Sequence, residues 1–500
     1  MKKPEAATLG DLKKTGYVDR PVKDELRENL IQQLKDGRNI FDGIIGFDST
    51  VIPQVQNAIL GKHDIILLGL RGQAKSRILR MLPSLLDEFV PVVRGSEVND
   101  NPFHPISSQG RQLVAKMGDD TPIDWLHRSE RYGEKLATPD TTMADLIGDI
   151  DPIKAANLKL SYADEDVIHF GIIPRTNRGI FAVNELPDLQ PRIQVGLLNV
   201  MEEKDIQIRG FNIRFPLDIL MVFSANPEDY TNRGSIITPL KDRIDSQIFT
   251  HYPLTVETGI AITKQEAWED RNGIRITLPY FFREIIENIA REARTSEYVD
   301  QKSGVSVRLT RAALEDLVSA GERRAILRGE VATVARVSDL YSLEPAITGK
   351  IELVYEGEQE GAQNVARLLV GRAVHNVFTS HFPDPSNKAT GKATYSEIIE
   401  WFSKGGSIKL GTEMSSSEYV SSLEAVDGLL EVVRKHQNTT DPLETAALME
   451  LVLEGLHQQS LIGKDFDAVN VEYSDMMGSM LSSLGSFPTD DDEEDFYKDL

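Results

Sequence analysis

Residues 65–76 read Ile-Ile-Leu-Leu-Gly-Leu-Arg-Gly-Gln-Ala-Lys-Ser. An apolar run that enters a glycine-containing turn and ends in Lys-Ser predicts a buried strand, a phosphate-binding loop and the start of a helix. The backbone N–H groups of such a loop surround phosphate oxygens, and the helix N-terminus adds positive partial charge. Lys75 would contact the β- and γ-phosphates, and the Ser76 hydroxyl would bind Mg²⁺. The predicted nucleotide-binding residues of this stretch are Gly69, Leu70, Arg71, Gly72, Gln73, Ala74, Lys75, Ser76 and Arg77.

One residue of this loop departs from the usual pattern, because Ala74 stands where glycine normally precedes the lysine. A methyl group fits at that position if the local φ is negative, so we expect the change to cost backbone freedom rather than chemistry. Taken alone, the loop has a second interpretation, which is a glycine-rich turn without a ligand.

A second strand ends in polar residues about a hundred positions later. Residues 178–185 read Arg-Gly-Ile-Phe-Ala-Val-Asn-Glu, which predicts a buried central strand. Ligands of parallel α/β sheets bind at the carboxyl ends of the strands, where ATPases usually carry Asp-Glu. Asn184 keeps an acceptor oxygen for Mg²⁺ but lacks the charge of the usual aspartate, whereas Glu185 remains as the general base for the attacking water. The alternative is a buried strand that ends in a capped turn.

A third buried strand follows, in residues 218–227, and delivers Asn226 at its end, where this residue would orient the lytic water or sense the γ-phosphate. Between the two strands, residues 205–215 alternate apolar and polar side chains around a glycine, which predicts a β-hairpin. Residues 239–245 place Arg243 shortly before another apolar stretch. Polar strand ends in this order favour a single ATP-hydrolysing site.

Composition narrows the class of protein. The chain has 500 residues, 40% of them hydrophobic, and a formal net charge of −23, which argues against direct nucleic-acid binding. It contains no cysteine, which excludes disulfides and a cysteine nucleophile. No apolar run approaches the roughly 18 residues of a membrane span, and the first residues lack a secretory signal. We therefore expect a cytoplasmic protein without a membrane span.

These motifs resemble those of the AAA+ ATPases in the group of the magnesium chelatase ATPase subunit and MoxR, over roughly residues 20–330. Residues 95–102 resemble the post-strand segment of chelatase subunits, and residues 138–149 and 169–174 are similar to the entry and exit of the helix-2 insertion of that group. The hairpin at 205–215 would be its insertion before the sensor strand. Residues 100–136, rich in polar and aromatic side chains, are interpreted as part of an insertion.

The resemblance implies an ATP and Mg²⁺ site with Ser76 and Asn184 at the metal, Glu185 activating water and Asn226 as the first sensor. It further implies that Arg243 reaches the γ-phosphate of a neighbouring subunit, although a surface arginine paired with Asp242 or Asp245 is the alternative. By the same resemblance, Ile45 and Gly46 would pack against adenine. Arg308 would be the lid arginine, a role for which the nearby Arg311 is the alternative.

An arginine that acts on a neighbour implies a ring, commonly a hexamer, in which ATP hydrolysis remodels a partner or loads metal into it. In this group the partner usually carries a von Willebrand factor A-type domain. A scaffold that responds to nucleotide with little or no turnover is the alternative, which Asn184 favours and Glu185 opposes. An activator of alternative-sigma-factor transcription would need a Gly-Ala-Phe-Thr-Gly-Ala loop, which this sequence lacks.

The predicted fold class is therefore α/β: a phosphate-loop AAA+ core with a parallel central sheet, then an α-helical lid and an additional, mainly helical C-terminal module. Asp441 is expected to cap a helix of that module. The predicted domains are an N-terminal helical segment (1–40), the ATPase core (41–255), the lid (256–350), the C-terminal module (351–465) and a mobile acidic tail (466–500).

Overall fold

The computed structural model describes residues 3–159, 165–203, 215–227, 234–271, 273–387, 391–466 and 470–476. It divides into two compact units, Met1–Tyr252 and Pro253–Leu500. Among the described residues, no helix combines the length and the apolar character that crossing a membrane requires. The hairpin predicted at 205–215 lies outside the described residues except for Phe215, and so do the last 24 positions, 477–500.

The first unit is an α/β structure whose strands and helices alternate along the chain. Its helices are α1 Leu9–Lys14, α2 Val22–Lys35, α3 Val51–Leu60, α4 Lys75–Met81, α5 Ser108–Met117, α6 Met143–Leu146, α7 Pro152–Leu158, α8 Ile172–Arg175, α9 Pro191–Glu202 and α10 Thr238–Arg243. Its strands are β1 Ile65–Leu68, β2 Phe89–Val93, β3 Ile123–His127, β4 Tyr132–Leu136, β5 Gly148–Ile150, β6 Ile168–Phe170, β7 Gly179–Asn184, β8 Ile219–Ala225 and β9 Ser246–Phe249.

Five of these strands form one parallel sheet in the order β4, β7, β8, β1, β9. Alternate residues of β1 belong to two different hydrophobic clusters: Ile65 and Leu67 to one, Ile66 and Leu68 to the other. Both faces of the sheet are therefore covered, which is why the inner strands β1, β7 and β8 read as nearly continuous apolar runs rather than as alternating ones. The predicted parallel central sheet is confirmed.

Strand β4 corrects one interpretation made from the sequence. Residues 100–136 were assigned to an insertion, but β4 pairs with β7 in the main sheet, with Tyr132 beside Ile180 and Leu136 beside Asn184. Glu134 and Lys135 interrupt the apolar run that marks β1, β7 and β8, so the sequence carries little strand signal here. Strands β2 and β3 form a separate antiparallel pair, and so do β5 and β6.

The second unit is mainly helical. Its helices are α11 Val256–Glu266, α12 Tyr280–Thr295, α13 Arg308–Arg328, α14 Glu344–Thr348, α15 Tyr355–Glu360, α16 Ala362–His381, α17 Gly391–Thr394, α18 Ser396–Ser403, α19 Ser416–Glu424, α20 Leu429–His436 and α21 Pro442–Gln458. Its strands are β10 Arg275–Thr277, β11 Ala332–Val334, β12 Ile408–Gly411, β13 Gly463–Phe466 and β14 Asn470–Ser474. Asp441 caps α21 as predicted, because its carboxylate accepts the N–H of Leu443 at 2.9 Å.

A single hydrophobic cluster runs through this unit and joins the predicted lid (256–350) to the predicted C-terminal module (351–465). Strands β12, β14 and β13 add a three-stranded antiparallel sheet to the module. Residues 470–474, placed in the acidic tail from the sequence, form β14 because Val471 and Tyr473 alternate into the core.

Candidate functional site

The loop between β1 and α4, which is predicted to bind phosphate, turns through two positions that require glycine. A Cβ atom at Gly69 would collide with the side chains of Thr250 and Gln73, and Gly72 has a φ of 75°, so both positions require glycine. The buried Lys75 ammonium donates to the carbonyl oxygens of Gly69 at 2.5 Å and Leu70 at 2.9 Å. The lysine is thus held inside the loop, where it would meet the phosphates of a nucleotide.

Ala74 adopts a left-handed conformation, with φ 54° and ψ 12°. The negative φ under which a methyl group would fit without strain is therefore not present at this position. For a residue with a Cβ atom, this conformation costs about 1–2 kcal/mol. Ala74 therefore stores backbone strain beside the lysine, in a place where such strain is typical of functional sites.

Asn184 connects the loop to the second motif. Its Oδ1 accepts the hydroxyl of Ser76 at 3.1 Å, so a residue at the end of β7 touches the first turn of α4 across 108 positions of sequence. The same oxygen accepts the hydroxyl of Ser224, on β8, at 2.9 Å. The structure thus brings together Ser76 and Asn184, the two predicted metal ligands.

Two residues at this point were not identified from the sequence. The carboxylate of Glu134, on β4, accepts from Asn184 Nδ2 at 2.5 Å. It also accepts from Arg80 on α4, at 2.8 Å from Nε and 2.9 Å from Nη2, and this pairing raises the pKa of Arg80. Glu134 escaped notice because β4 was not predicted as a strand. Ser224 lies within a predicted strand, but nothing in the sequence marks its hydroxyl.

Glu185 and Asn226 follow the ends of the two central strands. The N–H of Glu185 donates to Ser224 Oγ at 3.4 Å, and its φ of 54° is again left-handed. Asn226 is buried, and it follows Ala225, whose carbonyl accepts the N–H of Gly69 at 3.1 Å. Both residues therefore border the phosphate-binding loop at the carboxyl edge of the sheet.

The side of the loop towards β9 carries the predicted adenine segment. Gln73 accepts the hydroxyl of Thr250 at 2.7 Å, directly after β9. The next residue, His251, bonds Thr50 at 2.8 Å and packs against Phe47, with ring centroids 4.9 Å apart. Ile45 and Gly46 precede this contact in the chain, which places their segment at the β9 end of the site. The backbone carbonyl of Arg71 accepts the hydroxyl of Tyr252 at 2.9 Å. Leu70 lies in the same loop, and Arg77 lies in the first turn of α4.

The two arginines lie in different units. Arg243 ends α10 and forms an ion pair with Glu202 at the end of α9, at 2.7 Å, rather than with Asp242 or Asp245 as its alternative role predicted. One third of its side chain is exposed. Arg308 begins α13 in the second unit, where its N–H donates to Ser306 Oγ at 3.1 Å.

Carboxylates with raised pKa values lie at the opposite, amino edge of the sheet. Burial raises the pKa of Asp218, just before β8, to about 6, and the N–H of Val22 bonds both its oxygens at 2.9 and 3.0 Å. Burial likewise raises the pKa of Asp64, just before β1, and this carboxylate accepts the N–H of Met221 at 2.9 Å. These two carboxylates bind backbone N–H groups at the amino edge of the sheet, so their raised pKa values reflect a structural role rather than catalysis.

The donor set at the carboxyl edge fits a magnesium ion. Mg²⁺ prefers oxygen ligands and binds through few protein groups together with phosphate oxygens and water. The Ser76 hydroxyl and the Asn184 amide oxygen are a hard-oxygen pair that already face each other beside the loop lysine. The described residues contain no cluster of three or more acidic or histidine side chains with metal-binding geometry. An ion held here would therefore depend on nucleotide phosphates for the rest of its ligands.

We predict that Ala74→Gly raises the thermal unfolding midpoint, because glycine adopts the left-handed conformation without the strain, a gain of about 1 kcal/mol. Ala156→Gly is the matched control: it makes the same chemical change at an exposed position of α7 and should lower stability by about 1 kcal/mol. Circular dichroism on the full chain measures both. A fall in the midpoint with Ala74→Gly comparable to that of the control would contradict the strain.

No protein-family model matches this sequence. Among solved structures, the chain is similar to one from a model of the complex between subunits BchI and BchD of magnesium chelatase (19% identity, TM-score 0.33, covering 64% of this chain and 98% of that one). It is also similar to NtrX from Brucella abortus (14% identity, TM-score 0.34, 79% and 71% covered) and to a chain of Hsp104 with ATPγS and casein (11% identity, TM-score 0.35, 61% and 49% covered). The five-stranded parallel sheet and the mainly helical second unit confirm the predicted α/β fold class with a parallel central sheet, followed by a mainly helical region.

Proposed function

We propose that this protein is an ATP-hydrolysing AAA+ ATPase that works as a ring. The observation that carries the proposal is the 3.1 Å contact between Ser76 and Asn184, beside Lys75 in its loop. Two motifs that are separate in the sequence meet at the edge of the sheet where nucleotides bind in this class of fold. A glycine-rich turn without a ligand would have no reason to face a polar strand end.

Each residue has a chemical task in this proposal. Lys75 would move from its own loop carbonyls to the phosphates, and Ser76 and Asn184 would hold Mg²⁺. The ion would offset the negative charge that develops on the transferred phosphoryl group. Glu185 would accept the proton of the attacking water, and Asn226 would orient that water. Arg243 would complete the site of the adjoining subunit, and Arg308 would serve as the lid arginine that the resemblance implies.

For the output of hydrolysis, we propose the remodelling of a partner complex or the loading of metal into it, together with a partner that carries a von Willebrand factor A-type domain. The support is the resemblance of residues 20–330 to the magnesium chelatase and MoxR group. An adjacent open reading frame that encodes such a domain would support this pairing, and metal-independent remodelling of the partner would separate maturation from metal loading.

A second candidate function is a nucleotide-responsive scaffold with little turnover. Asn184 favours it, because an amide at the metal carries no charge to hold Mg²⁺. The two candidates share the nucleotide site and differ in whether Glu185 performs chemistry, so they are separated by turnover and not by binding.

We predict that Lys75→Ala abolishes ATP binding, since hydrogen bonds to charged groups contribute about 1.5–3 kcal/mol each and this ammonium would make several. Isothermal titration with ATP measures the loss. Lys116→Ala removes an exposed lysine of α5 in the same unit and should bind as the wild type does. Unchanged affinity in Lys75→Ala would overturn the site.

We predict that Glu185→Gln binds ATP but releases phosphate about 10²–10⁴-fold more slowly, because the amide cannot act as a general base. A steady-state phosphate-release assay on assembled protein gives the ratio. Equal, background-level release by the wild type and Glu185→Gln would favour the scaffold over the ATPase.

For the ring, we predict that Arg243→Ala binds ATP normally and loses turnover by about 10³-fold or more, the range known for such arginines. Glu202→Gln is the matched control, because it frees the arginine from its partner within the subunit and should keep turnover. Mixing Arg243→Ala with Glu185→Gln subunits should restore activity, since each then supplies what the other lacks. Normal turnover by Arg243→Ala rings, or no recovery on mixing, would remove Arg243 from this role.

A further inference from the structure

The metal site has a charge deficit that the proposed function leaves unexplained. Proteins usually bind Mg²⁺ through one or two carboxylates together with phosphate oxygens. Here the two oxygen donors, Ser76 Oγ and Asn184 Oδ1, are both neutral. A site built only of these groups would hold the ion weakly unless negative charge comes from elsewhere.

The carboxylate of Glu134 lies in contact with the other end of the same amide. Glu134 is in register with Ala182 on the neighbouring strand, so it reaches Asn184 two residues further along. Its Oε1 accepts from Asn184 Nδ2 at 2.5 Å. An ionised carboxylate only accepts hydrogen bonds, so the nitrogen of the amide must face Glu134. The amide oxygen is thereby turned towards the hydroxyls of Ser76 and Ser224.

We propose that Glu134 is a positioning residue of the metal site, which fixes the orientation of the Asn184 amide and supplies, through it, the negative charge that an aspartate at position 184 would have carried. The inference rests on the proposed function, because it concerns the same nucleotide site. Polarisation by a hydrogen-bonded carboxylate makes the amide oxygen a better cation ligand, as carboxylates do for metal-bound histidines.

A purely structural role for Glu134 is the competing explanation, since it also forms a fork-shaped ion pair with Arg80, one turn beyond Ser76 on α4. The two partners of that pair differ in burial: the side chain of Arg80 is 62% exposed, whereas that of Glu134 is 22% exposed. An exposed ion pair contributes little to stability. If the pair with Arg80 were the reason for Glu134, removing either partner would have the same effect.

The test measures cation affinity directly, with Mn²⁺ as the probe and electron paramagnetic resonance as the readout, on full-length protein saturated with ADP. Glu134→Gln keeps the shape of the side chain and removes its charge, and we expect Mn²⁺ to bind about 10–100-fold more weakly. ADP binding in EDTA should stay at the wild-type value, which shows that the variant is folded and that its phosphate loop is intact.

Two further variants separate the explanations. Arg80→Gln should keep Mn²⁺ affinity or tighten it, because Glu134 and Asn184 remain. The double variant Glu134→Gln/Asn184→Asp moves the one carboxylate to position 184 and lets the new amide donate to it, so we expect it to recover most of the lost affinity. Asn184→Asp alone sets two carboxylates side by side, and it should disturb the site more than the double variant does.

The outcomes distinguish this inference from the proposed function. Unchanged Mn²⁺ affinity in Glu134→Gln, an equal loss in Arg80→Gln, or no recovery in the double variant would overturn the role of Glu134 while leaving the ATPase intact. Failure of the wild-type protein to bind ADP at all would overturn the proposed function, and the inference would fall with it.

Discussion

The side-chain amide of Asn184 is the contact on which the site depends. It receives hydroxyls from α4 and from β8, and it donates to a carboxylate on β4, so one group joins three neighbouring elements at the carboxyl edge of the sheet. Each hydrogen bond restricts the others, because the amide nitrogen only donates and the amide oxygen only accepts, so the group cannot turn over without losing its partners. Asn184 and Ser224 are buried and hydrogen-bonded to each other, and satisfied buried polar groups of this kind help to specify a single arrangement.

The sheet places this network. Parallel strands send their carboxyl ends to one edge, and the order β4, β7, β8, β1, β9 puts the phosphate loop two strands away from Asn184. Helices cover both faces, so the edge is the side on which a ligand can approach strand ends. At the other edge, buried Asp64 and Asp218 hold backbone N–H groups. The amino edge thus stabilises the sheet, and the carboxyl edge carries the side chains of the candidate site.

Backbone strain accompanies the site. Ala74 and Glu185 both have a φ of 54°, one before the loop lysine and one at the expected base. Residues with a Cβ atom rarely adopt this left-handed conformation, and they keep it when surrounding contacts fix the chain on both sides. Here β1 and α4 fix Ala74, and the end of β7 with the N–H bond to Ser224 fixes Glu185. Contacts with the sheet therefore stabilise these two residues in a backbone conformation that is unfavourable by itself.

The sequence by itself determined the local motifs: the apolar strands, the glycine-containing loop, Lys75 and Ser76 at the start of a helix, and Asn184 and Glu185 at the end of a strand, because each is encoded within about ten consecutive residues. It also determined that the second unit is mainly helical and that Asp441 caps one of its helices. The tertiary structure alone decided the sign of φ at Ala74, the pairing of Arg243 with Glu202, and the contact of Glu134 with Asn184. These depend on loop closure and on strands that are 50 residues apart in the chain, and a polar strand such as β4 has no periodic signal that would reveal its place in the sheet.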